Sequence, residues 1–155
     1  MSKAWSVSCA VVLTVLVVGC GSGSDLGTYK KDFQNQKAQF TQLGRDLANT
    51  IQTANGKSNS QIASEFAGLA TRANTTASNL RKLKPPSNYK SQNEQLASDF
   101  NTVAADLSSI STAASSNNGQ SARAGTQKLL QDAATLRQAD RSLTASLGLP
   151  QTSTG

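Results

Sequence analysis

The sequence has no histidine, and its 155 residues include only one methionine, one tryptophan and two cysteines. Without histidine the chain lacks the side chain that most often performs general acid–base catalysis. Haem ligation through histidine is excluded, as are the Glu-x-x-His metal sites of four-helix bundles. Only two glutamates are present, and no glycine-rich phosphate loop or nucleophile elbow occurs. We therefore predict a protein that is not an enzyme and that has neither a metal site nor a cofactor.

The first twenty residues have the pattern of an export signal. Lys3 lies in a short first region, an apolar run covers residues 10–18, and the small residue Gly19 directly precedes Cys20. This pattern resembles the lipobox of bacterial lipoproteins. The resemblance implies that residues 1–19 are a cleaved signal peptide and that Cys20 is linked to lipid, with palmitate-type acyl chains as the anchor. It also implies a location in the bacterial envelope, either on the outer face of the cytoplasmic membrane or in an outer membrane.

Two other interpretations of this segment remain open. An uncleaved membrane anchor would need about 20 apolar residues, and the run is about half that length. An ordinary secretory signal more often ends in an Ala-x-Ala-like site, which is missing beside Cys20. Cleavage before Cys20 would leave a single cysteine, committed to lipid, so no intramolecular disulfide is expected.

The charge of the chain is moderately basic, with 15 Lys and Arg against nine Asp and Glu. Nucleic acid is not an expected partner, because no aromatic residues alternate with arginine as in a base-stacking surface. An anionic lipid surface or an anionic wall polymer is the more suitable partner for a positively charged chain. A protein partner in the envelope is also expected, but the sequence does not identify it.

Apolar residues recur at alternating intervals of three and four over residues 26–54, 62–83, 89–114 and 122–147. This spacing predicts four amphipathic helices. Because the connections are short, consecutive helices should be antiparallel, which predicts an all-α, up-down-up-down four-helix bundle. The alternative is a pair of helical hairpins that pack only against a partner. The predicted organisation is a lipidated cysteine and flexible spacer over 20–24, a bundle over 25–149 and a disordered tail over 150–155.

Specific residues predict how each helix begins and ends. We expect a left-handed residue in Asn55-Gly56, a capping box from Ser58 and Gln61, and a proline stop at residues 85–86. Ser87 should cap the third helix. Residues 117–119 should separate the last two helices, and Gly148 should close the fourth.

Charged residues lie on the two flanks of the apolar seam, where a solvated border is expected. One flank holds seven acids: Asp25, Asp32, Asp46, Glu65, Asp99, Asp106 and Asp132. The other flank holds six basic residues: Lys30, Lys37, Lys84, Lys90, Arg123 and Arg137.

Four polar residues occupy seam positions at similar heights along the predicted helices, with two tyrosines below them. We expect these residues to form either a structural polar layer or a pocket for a small polar ligand. They are Gln36, Thr76, Asn93 and Asp140, with Tyr29 and Tyr89.

The same topology places eight basic residues at the end of the bundle that follows Cys20. They either form a membrane-facing rim or favour helix C-termini and solubility. The residues are Lys30, Lys31, Arg81, Lys82, Lys84, Lys90, Arg137 and Arg141. The sequence thus favours a lipid-anchored structural or protein-interaction module, and its alternative is a ligand-binding or sensor lipoprotein.

Overall fold

The computed structural model describes residues 22–151, and within them it contains four α-helices and no strand. The helices are α1 (Ser22–Thr53), α2 (Asn59–Lys82), α3 (Lys90–Ser115) and α4 (Gly119–Ser146). Consecutive helices pack against each other, which confirms the predicted four-helix bundle within one chain. The predicted signal peptide, Cys20 and residues 152–155 of the predicted tail lie outside the described residues.

The centre of the bundle is the pairing of α2 with α3. Their backbones approach each other along most of their length, because alanines occupy the facing positions. Ala73, Ala77 and Ala97 are each no more than 1% exposed. Between the alanines, Leu80, Leu96 and Leu107 are fully buried, so small and large side chains interlock at close range.

Helix α1 packs on this pair through aromatic rings and not through alanines. Tyr29, Phe33 and Phe40 form an aromatic stripe along one face of α1, with successive ring centroids 6.1 Å apart. Phe40 meets Phe100 of α3 at a centroid distance of 4.8 Å. Because these rings are large, the α1 backbone stays farther from its neighbours and approaches mainly α2. The aromatic stripe therefore supplies a large part of the apolar attachment of α1, together with aliphatic residues such as Leu43.

Several predicted helix ends are confirmed. Ser58 and Gln61 form the capping box of α2, and α2 ends at Lys82, before the two prolines. At the end of α4, Gly148 has a φ of 63°, and the N–H of Leu149 donates to the carbonyl of Thr144. This is the hydrogen-bond pattern of a glycine-closed helix terminus.

Two other predicted ends are wrong. No left-handed residue closes α1, because residues 54–56 tighten into a 3₁₀ turn in which the N–H of Lys57 donates to the carbonyl of Ala54. Ser87 does not cap α3 but begins a 3₁₀ turn, and α3 starts at Lys90 without a side-chain cap. In both places the tighter turn satisfies backbone groups that a cap would otherwise serve.

Helix α1 also extends farther toward Cys20 than predicted, since it begins at Ser22, inside the expected spacer. Glycine in a helix costs only about 1 kcal/mol relative to alanine. Elongation of a helix already fixed by tertiary packing is easier than starting one, so the glycines of this segment do not stop α1. None of the described helices is both long enough and apolar enough to span a bilayer.

Candidate functional site

Asn93 joins the ends of three helices at the end of the bundle where α1 begins. The Tyr29 hydroxyl donates to Asn93 Oδ1 at 3.0 Å, and Asn93 Nδ2 donates to the carbonyl of Leu80 at 2.9 Å. Asn93 is 3% exposed and Tyr29 is 2% exposed. Burial, with a smaller contribution from nearby Tyr89, raises the pKa of the Tyr29 hydroxyl, which keeps it protonated as a donor. The bridge ties α1, α2 and α3 together at one level.

Asp140 is bonded to charged and hydroxyl partners that differ from its predicted neighbours. Lys37 Nζ lies 3.3 Å from Asp140 Oδ2 and donates to Thr144 Oγ1 at 2.7 Å. The side chains of Lys37 and Asp140 are 10% and 23% exposed, and Thr144 is fully buried. The expectation that Lys37 lies on a solvated flank is therefore wrong. Its ammonium group instead connects α1 to α4, two helices whose backbones come close to each other at few positions.

Among the described residues, the other members of the predicted polar layer make no hydrogen bond to this ion pair. Thr76 donates to the carbonyl of Arg72 in its own helix, and Tyr89 donates to the carbonyl of Ser146. Gln36 is half-buried, and its Oε1 has no partner among the described residues. Among the described residues, the bond between Tyr29 and Asn93 is the only hydrogen bond that joins two of the six predicted members. The rings of Tyr29 and Tyr89 also pack together, with their centroids 6.2 Å apart.

A second charge cluster, in which Asp106 is buried and Lys128 is exposed, lies between α3 and α4 and was not predicted as a site. Lys128 Nζ contacts Asp106 Oδ1 at 2.7 Å and Asp132 Oδ2 at 2.6 Å. Asp106 is 5% exposed, so its predicted place on a solvated flank is wrong. Burial raises the pKa of Asp106, whereas hydrogen bonding to Lys128 lowers the pKa of Asp132. The packing of α4 against α3 buries the Asp106 carboxyl, although the sequence places Asp106 one residue before a position of the apolar seam.

The eight predicted rim residues lie where the topology places them, and we call this set the basic rim. Bonds from Tyr89 and Gln92 to Ser146 show that the start of α3 and the end of α4 lie at the same end as the Asn93 bridge. All eight side chains are exposed except that of Lys30, which is half-buried. Arg81 is paired with Glu94 at 2.8 Å.

The opposite end of the bundle carries small polar side chains. A shallow open groove between the start of α2 and the end of α3 is lined by serine and asparagine, including Ser60, Ser64, Ser111 and Asn117. Across the described residues, no group of three His, Cys, Asp or Glu side chains could hold a metal ion. The groove exposes hydroxyl and amide groups but lacks an enclosed cavity.

Comparison of the chain with protein-family models, curated proteins and solved structures gave no match. The functional argument therefore rests on the residues themselves.

Removal of the Asn93 side chain tests whether the three-helix bridge stabilises the fold. Asn93→Ala would leave the buried Tyr29 hydroxyl without its partner and would remove one of the two donors to the Leu80 carbonyl, which keeps the N–H of Leu83. We therefore expect a loss of about 2 kcal/mol in the free energy of unfolding. Tyr29→Phe retains the ring and removes one bond, so it should cost about 1 kcal/mol. Urea denaturation of both variants measures the difference. An Asn93→Ala variant as stable as the unaltered protein would contradict this role.

Proposed function

We propose that this protein is a lipid-anchored module of the bacterial envelope that serves as a structural or protein-interaction unit. The observation that carries the proposal is the position of Cys20, which ends the lipobox-like segment and lies two residues before the first residue of α1. A lipid attached there would hold the bundle by the end that contains the Asn93 bridge and the basic rim. Two or three acyl chains would anchor it stably, since each buried CH₂ contributes about 0.8 kcal/mol.

The interior of the bundle supports a structural or protein-interaction unit more than a ligand-binding one. The buried polar groups Asn93, Lys37 and Thr144 bond to other residues of the chain. Two open and shallow grooves lie at the far end, one between α2 and α3 as described above and one where α3 is followed by α4, lined by residues that include Ser109 and Ser121. A small polar ligand in the core would have to displace these internal bonds. The surface is therefore the more suitable place for recognition.

The anchor is tested by replacing each of the two cysteines in turn. In a bacterium grown with labelled palmitate, Cys20→Ala should abolish incorporation of the label and processing of the precursor. Cys9→Ala is the matched control, because it removes the other cysteine of the chain, and it should leave labelling intact. Unchanged labelling of the Cys20→Ala variant would refute the proposed anchor, as would loss of labelling in the Cys9→Ala variant alone.

A further inference from the structure

The charges at the end of the bundle where α1 begins do not cancel one another. Two acids at this end already have internal partners, since Asp140 binds Lys37 and Glu94 binds Arg81. Apart from Arg81, the members of the basic rim have no hydrogen bond or ion pair from their side chains to another side chain among the described residues. Counting Lys37, this end has nine basic residues against Asp25, Asp32, Glu94, Asp99 and Asp140, an excess of four.

Three lysines are concentrated at the turn between α2 and α3, which forms the tip of this end. Lys82 is the last residue of α2, Lys84 lies in the turn, and Lys90 is the first residue of α3. All three are exposed. Long lysine side chains at a tip extend beyond the backbone, so their ammonium groups can reach a surface that faces the end of the bundle.

The far end has no such concentration of positive charge in its turns. The connection from α1 to α2 contains one basic residue, Lys57, which pairs with Glu65 at 2.7 Å. Residues 116–119, which join α3 to α4, contain no charged residue. The bundle is therefore electrostatically polarised along its axis, with its positive pole at the end nearest Cys20.

We propose that the basic rim is a docking surface for an anionic lipid bilayer. The proposal rests on the proposed anchor at Cys20, which would hold this end of the bundle at the membrane. At physiological salt the Debye length is about 8 Å, so the charges act on lipid headgroups only when the rim lies close to them. Because α1 begins at Ser22, two residues after Cys20, the proposed anchor would hold the rim within such a distance of the headgroups. A soluble wall polymer would match the positive charge equally well. The proposed anchor, however, would bring only the membrane next to the end of the bundle that follows Cys20.

The proposal is tested with residues 22–155, which lack the cysteine. This fragment contains every buried core residue of the described chain, from Tyr29 to Leu147, so it retains the whole bundle core. The measurement is sedimentation with phosphatidylglycerol-containing vesicles, and with phosphatidylcholine vesicles as the neutral comparison. We expect binding to the anionic vesicles only. Binding should be strong at about 0.01 M salt, where the Debye length is about 30 Å, and lost at about 1 M, where it is about 3 Å.

A pair of matched variants separates the rim from the overall charge. Lys82→Gln/Lys84→Gln and Arg45→Gln/Arg123→Gln each remove two positive charges, and all four side chains are exposed. A well-placed cation contributes about fivefold to binding, so the rim variant, which loses two, should bind about 25-fold more weakly. With both variants compared at about 0.15 M salt, where the Debye length is about 8 Å, the Arg45 and Arg123 variant should stay within about twofold of the unaltered fragment, because these residues lie away from the rim. Equal loss in the two variants would overturn a localised docking surface.

Two further outcomes would overturn the proposal. One is the absence of vesicle binding at low salt, and the other is binding to soluble polyglutamate without binding to vesicles, which would indicate a polymer partner. The palmitate experiment on Cys20 is independent of these results. Normal palmitate labelling combined with no vesicle binding would refute the docking surface alone, whereas the reverse combination would refute the anchor alone.

Discussion

Phe33→Ala is expected to lower the free energy of unfolding by about 3 to 5 kcal/mol. Phe33 is fully buried at the middle of the aromatic stripe, between Tyr29 and Phe40. Because α1 has few close backbone approaches to the other helices, a cavity at this position removes a large part of its apolar contact. Denaturation with urea gives the loss, and amide hydrogen exchange shows where it occurs. The α1 amides should lose more protection than those of α2 and α3.

The matched control is Phe40→Ala on the same helix. Phe40 is only half-buried, although its ring contacts Phe100. The same truncation should therefore cost about half as much as at Phe33, since less apolar area is lost from the core. Equal losses at the two positions would mean that burial along the aromatic stripe does not determine how firmly α1 is held.

Asp140→Ala is expected to cost about 2 kcal/mol, because it leaves the ammonium group of Lys37 buried with only Thr144 as its partner. Lys37→Met should cost less than about 1 kcal/mol, since an apolar chain fills a similar space and the partly exposed Asp140 carboxylate can gain water. In the double variant Lys37→Met/Asp140→Leu both charges are gone. Its stability should equal or exceed that of the unaltered protein.

The variants Lys37→Met, Asp140→Leu and Lys37→Met/Asp140→Leu form a double-mutant cycle that is read by chemical denaturation. A favourable coupling between Lys37 and Asp140 requires that the double variant be more stable than the sum of the single effects predicts. If the single losses simply add, the two side chains do not depend on each other, and the contact between α1 and α4 has another origin. Asp140→Leu alone should be destabilising, because it leaves Lys37 in the same unpaired condition as alanine does.

The bundle could be predicted from the sequence because its apolar spacing continues through all four helices. Leu96, Phe100 and Leu107 follow that spacing on α3 and are nearly or fully buried. The capping box at Ser58 and the glycine end at Gly148 are local patterns, and local patterns can be recognised without knowledge of the packing. Asn93 and Thr76 were also placed correctly in the core, since they occupy seam positions.

The partners of the buried charges could not be predicted in the same way. After Phe33 the core-facing position can be residue 36 or residue 37, because an α-helix has 3.6 residues in each turn. The structure buries Lys37 more than Gln36, and the long lysine stem lies along the apolar seam. Asp106 is buried for a different reason. Helix α4 packs against α3 at this position, and it also brings Lys128 close enough to pair with the Asp106 carboxylate. Both outcomes depend on the rotation and approach of whole helices, which spacing alone does not specify.

Only Gly21 separates Cys20 from the first residue of α1. Tyr29, where α1 enters the core, follows Ser22 by seven residues, and helical residues rise 1.5 Å each, so this part of α1 reaches about 10 Å, less than half of what an extended chain would span. In the lipid-anchored arrangement proposed above, α1 would act as a stiff stalk that fixes the height of the bundle and limits its tilt. A partner would then meet the serine- and asparagine-lined end about 40 Å farther from the membrane, at a nearly constant distance from it.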